Sequence, residues 1–123
     1  MRLQKLASPM TVCKVSTPEE ALTGGQFLFV GRTDREISVV CETEHAPTAT
    51  LEREDGWLGF RIEGRLDFSL IGVLARISKV LAEESIGIFV VSTFDTDYIL
   101  VKAADFDRAT TALTNAGYLF VEG

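Results

Sequence analysis

Between Trp57 and Val121 the spacing of apolar residues changes period more than once, and that succession restricts the fold more than any other feature of the chain. Leu58, Phe60 and Ile62 alternate with other residues, the two-residue period of a half-buried strand. From Leu70 the step becomes three and four. Leu70, Val73, Leu74, Ile77, Val80 and Leu81 form one stripe, and Arg76, Lys79, Glu83 and Glu84 fall away from it. This predicts an amphipathic helix laid on a sheet, with Asp67 and Ser69 suited to its N-terminus and a stop near Ser85. Residues 86–92 read as a strand, 93–97 as a polar turn, and 98–102 as a second strand that pairs with the first as a hairpin. A second helix follows, with Asp105 as cap, Phe106, Ala109 and Leu113 on one face, and Gly117 as left-handed stop. Residues 118–121 close as a strand. The order is βαββαβ. Right-handed crossovers then put both helices on one face of an antiparallel sheet.

The first half echoes the second. Residues 27–40 align without gaps with 88–101, each an apolar strand, a polar turn holding acids, and another apolar strand. Residues 11–15 read as a strand and 18–22 as about one turn of helix capped by Thr17 or Ser16. Residues 44–48 stand where a second helix belongs, and Pro47 limits it. Residues 51–60 supply the last strand, interrupted by a turn at Glu54, Asp55 and Gly56. The expected fold class is therefore α+β, a degenerate unit over 1–56 and a complete one over 57–123. No linker rich in Gly, Ser or Pro separates them, so one continuous core is expected.

Composition narrows the function. Eighteen acidic against twelve basic residues give a net charge of -6, and the Lys and Arg residues are scattered. Nucleic acid and anionic membrane surfaces both require clustered cations, so neither is an expected partner. No apolar run approaches the roughly 20 residues that span a bilayer, and no signal segment is read, which places the chain in the cytoplasm. Cys13 and Cys41 lie in apolar strand-like runs and read as core thiols; with the lone His45 they make no metal-ligand spacing. No cofactor fingerprint or nucleophile motif is present, and no catalysis is expected.

Two segments could hold a ligand. At 67–72 a helix N-terminus offers unpaired N–H groups and positive dipole to a carboxylate, and Gly72 permits close approach; Asp67 and Ser69 could equally serve only as caps. At 92–97, Asp97 could receive an ammonium group or serve as an ordinary turn residue. Phe94 could cover an aliphatic stem or be a hairpin aromatic, and Ser92 and Thr93 could donate to a ligand or pair across strands.

The stretch from Glu63 to Leu74 (with Gly64, Leu66, Asp67, Phe68, Ser69, Gly72 and Leu74) and the stretch from Ile88 to Val101 (with Ser92, Thr93, Phe94, Thr96, Asp97 and Tyr98) resemble ACT-domain proteins. The likeness is to small bacterial tandem ACT proteins and to the ACT pairs of cytosolic arginine sensors and aspartate kinases, and it is carried by 57–123. The resemblance implies two side-by-side ACT-like, ferredoxin-like units and a regulatory rather than catalytic role. It also implies a free amino acid at their interface, held by Asp67, Phe68, Ser69, Leu70, Ile71 and Gly72 and by Ser92, Thr93, Phe94 and Asp97. In the arginine sensors the positions matching Phe94 and Asp97 touch the ligand, and an acid stands where this chain has Leu70, so arginine itself is not implied. A ligand-free module that dimerises through exposed strand edges is the alternative.

Overall fold

The computed structural model describes residues 1–64 and 71–122. In chain order the elements are β1 (Arg2–Lys5), β2 (Met10–Val15), β3 (Leu28–Arg32), β4 (Ile37–Glu42), β5 (Glu52–Ile62), α1 (Val73–Glu83), β6 (Phe89–Ser92), β7 (Asp97–Lys102), α2 (Phe106–Asn115) and β8 (Leu119–Val121), with short 3-10 turns at Pro18–Ala21, Thr43–His45 and Ala103–Asp105. The class is α+β, as the period changes predict. The chain divides into a smaller unit, Ser8–Trp57, and a larger one, Met1–Ala7 with Leu58–Gly123.

In the larger unit the strand order is β6-β7-β5-β1-β8. Neighbours are antiparallel from β6 to β7 and from β5 to β1, whereas β1 and β8 run parallel. β1 carries only one apolar residue, Leu3, yet that residue is fully buried. Strand alternation puts Leu3, Phe60, Ile62, Ile99 and Val101 into one core, which receives Val73, Ile77 and Leu81 from α1 and Ala109 and Leu113 from α2. Spacing of three and four on both helices selects that face. Burial of a side chain of this size is worth about 1.5–3 kcal/mol, so this cluster dominates the unit's stability.

The cap position of α1 is Gly72, in the left-handed region at φ 81°; the expected N-terminal residues Asp67 and Ser69, with Phe68 and Leu70, lie outside the described residues. The glycine's left-handed backbone sets where the helix begins. Asp105 does stand at the cap of α2, but its carboxylate accepts from Arg108 Nη2 at 3.0 Å instead of a helix N–H.

The smaller unit has order β3-β4-β2-β5, antiparallel throughout. Its helices are reduced to the 3-10 turns. Thr17 caps the first by accepting from Glu20 N. Its core is correspondingly small: Cys13, Val15, Val39 and Cys41 with Ala21. Among the described residues each unit has an apolar cluster of its own. Both cysteines are free thiols, and burial pushes them up, Cys41 to about 11. They are neutral packing groups.

The turn expected at 54–56 is a bulge inside one continuous strand. Met10 faces Trp57 but Val12 faces Glu54, so β5 advances three residues while β2 advances two. Gly56 sits there at φ 84°, the conformation such an extra residue commonly takes. Asp55 beside it accepts from Thr11 at 2.7 Å and from Arg53 Nε at 2.9 Å, and these partners hold its carboxyl below the usual range.

The internal echo also needs correction. Arg32 pairs with Ile37, and Ser92 with Asp97, so corresponding positions are 60 residues apart and not the 61 of the gapless alignment. At this spacing the core positions Val39 and Cys41 correspond to Ile99 and Val101. A slip of one residue would exchange the faces.

Candidate functional site

The sequence-singled segment 92–97 is the tight turn between β6 and β7. Thr93 builds it: its N–H donates to Thr96 O at 2.9 Å, its hydroxyl to the same oxygen at 3.0 Å, and it accepts from Thr96 N at 3.4 Å. Thr96 is buried, and its hydroxyl donates to the carbonyl of Ile62 at 2.8 Å, the last residue of β5. Glu63 N, next to Ile62, donates to Arg2 O at 3.0 Å, and Met1 lines the same depression as Val73 and Arg76, so the turn lies at the end of the larger unit at which α1 begins.

The same turn occurs in the smaller unit. Thr33 N donates to Glu36 O at 2.9 Å, and Thr33 Oγ1 accepts from Arg35 and Glu36 N–H groups. The position corresponding to Asp97 is Ile37. The turn therefore needs its threonine and does not need an acid at the start of the following strand. The hydrogen bonds that close the turn are made by Thr93. Among the described residues the Asp97 carboxylate has no hydrogen-bond or ion-pair partner. Phe94 projects at the tip, 66% exposed.

At the start of α1 no side chain among the described residues caps the helix, and its first turn holds no acid. Arg76 N donates to Gly72 O at 3.0 Å. The Arg76 guanidinium folds back so that Nη1 lies 3.1 Å from where a Cβ on Gly72 would be. A cation over the positive end of a helix is electrostatically unfavourable, and Arg76 has no acidic partner among the described residues. An open depression of about 300 Å³ beside it is lined by Val73, Arg76, Gly117 and Tyr118 among others. The sequence does not mark Arg76, because a charged residue is expected on the outer face of any amphipathic helix; its i, i+4 spacing from Gly72 is the signal that places it over the helix start. Ile71, 87% exposed, adjoins this helix start.

The structure thus brings Ser92, Thr93, Phe94 and Asp97 into one turn, at the same end of the unit as Ile71 and Gly72. His45 is elsewhere, in the second 3-10 turn of the smaller unit, 3.4 Å from Glu44.

The sequence profile of the ACT domain matches residues 52–115. The chain belongs to the ACT-domain family. A protein from Agrobacterium tumefaciens is similar over 99% of this chain and 92% of its own, with 32% identity and a TM-score of 0.87. A protein of unknown function from Vibrio cholerae, described as a possible transport protein, is similar in fold at TM-score 0.73 and 21% identity, over 90% of this chain and 85% of that one. The ligand-free regulatory subunit of aspartate kinase from Thermus thermophilus shares the fold at TM-score 0.63 and 10% identity, over 94% and 96%. No curated protein matches. As an ACT domain the chain has the general character of a regulatory, ligand-binding domain, and no helix among its described residues is long and apolar enough to cross a membrane.

Proposed function

We propose that this ACT domain is a non-catalytic sensor of a free amino acid, bound at the end of the larger unit that carries the 92–97 turn and the start of α1. The observation that carries the reading is Asp97: an acid opening β7 where the equivalent turn has isoleucine, with the turn's own hydrogen bonds met by Thr93. An α-ammonium group would pair with Asp97, and the carboxylate with the uncapped N–H groups of α1 and with Arg76. Phe94 supplies an apolar cover. Occupancy reaches a partner only through differential affinity of the ligand for two states of the domain.

Titration of the twenty amino acids by thermal shift and calorimetry tests this. At about 100 times its dissociation constant a true ligand adds about 2.7 kcal/mol of stability, a rise of at least several degrees in Tm. Asp97→Ala is expected to abolish that rise while leaving the unliganded Tm within about 2 °C. A flat response to all twenty would remove the amino-acid reading.

A further inference from the structure

We propose that the groove between α1 and α2 is a docking surface for a lysine- or arginine-bearing segment of a partner protein. It lies on the outer side of the helix layer and encloses about 600 Å³. Val80, Ala112 and Ala116 give it small apolar contacts; Glu83, Glu84 and Asp107 stand around it. It borders α2 from Asp107 to Ala116, about 15 Å at 1.5 Å per residue. That length suits a peptide segment better than one small cation.

Charge identifies the occupant. Most carboxylates among the described residues have partners: Glu52 has Lys14, Glu63 has Arg2, Glu122 has Lys5, Asp55 has Arg53, and Glu42 accepts backbone N–H groups. Among the described residues Glu19, Asp34, Glu83, Glu84, Asp97 and Asp107 have no ion-pair or hydrogen-bond partner for the carboxylate. Three of these face this groove. Arg108, the cation among the described residues that line it, is already committed, donating to Glu84 O at 2.8 Å and to Asp105 Oδ1 at 3.0 Å. Glu83 and Glu84 also sit at the negative end of α1, whose last turn has no basic residue. Side-chain charge and helix dipole therefore add in the same unfavourable sense, and a cationic partner relieves both. This surface is at the opposite end of α1 from the proposed amino-acid site and stands independently of it.

The test is amide chemical-shift mapping of the full chain with an amidated alanine–lysine helical peptide of about 15 residues, an alanine–glutamate counterpart, and free lysine amide. Shifts are expected to be confined to Val80–Glu84 and Asp107–Ala116, to appear with the lysine peptide alone, and to weaken about tenfold, or 1.4 kcal/mol, in Glu83→Lys/Asp107→Lys. The equally charged control Glu19→Lys/Asp34→Lys should bind as the parent does. No shifts at millimolar peptide would overturn the proposal, as would shifts spread over all exposed acids. So would equal shifts from lysine amide at matched lysine concentration, or equal weakening in the control.

Discussion

Phe60→Ala is expected to destabilise the chain by about 3–5 kcal/mol, a large share of the roughly 5–15 kcal/mol that holds a typical domain together. Phe60 is fully buried on β5, between β1 and β7, and its ring meets Phe120 edge-on at 5.4 Å and 81°. Truncation removes the transfer energy of the ring, leaves a cavity that the flanking strands cannot close, and forfeits the aromatic pair. The same change at Phe94, 66% exposed, should move stability by about 0.5 kcal/mol or less. Urea unfolding of both variants measures the contrast. A loss below about 1 kcal/mol at Phe60 would mean that the core of the larger unit is centred elsewhere.

That contrast could be read from alternation, and much of the larger unit could be too. Phe60 and Ile62, then Ile99 and Val101, mark one face by period, and the helix stripe marks the other layer. What escaped the pattern has specific causes. β1 offers a single apolar residue, too few to define a period, and gains its place by pairing with residues distant in the chain. Gly56 looks like a turn because a turn and a bulge both call for a left-handed residue, and only the partner strand distinguishes them. The echo was off by one residue because Val39, Val40 and Cys41 are all buried, so apolarity does not say which of them points to the core. The turn at 92–97 was legible since it interrupts an apolar run with hydroxyls and acids. That an acid opens β7 where the equivalent turn has isoleucine is legible only through the register that sets Asp97 opposite Ser92 and matches it to Ile37.

Gly25→Ala is expected to cost about 3 kcal/mol or more, through a carboxylate and not through an apolar core. Gly25 has φ 89°, which an L side chain tolerates at a cost of about 1–2 kcal/mol. A Cβ there would also press on Glu42 Oε1, with His45 Cδ2 at 2.8 Å. His45 is partly exposed and can swing away, whereas Glu42 is buried and accepts from the N–H groups of Gln26 at 2.6 Å and Phe27 at 3.3 Å. Moving that oxygen releases the chain leading into β3. In a Glu42→Ala background the collision is gone, so Gly25→Ala should there cost only its backbone part, about 1–2 kcal/mol. Equal costs in both backgrounds would show that the carboxylate is not what the methyl meets. The same carboxylate predicts a pH signature. The N–H bonds, that of Gln26 foremost, hold Glu42 below the usual carboxylate range. Its contribution is therefore fully present above the unfolded value of about 4.3 and is lost as pH falls through the depressed folded value. The stability gap between the parent and Glu42→Gln should stay constant near neutrality and narrow in acid; a gap that widens in acid would mean that the charge opposes the fold.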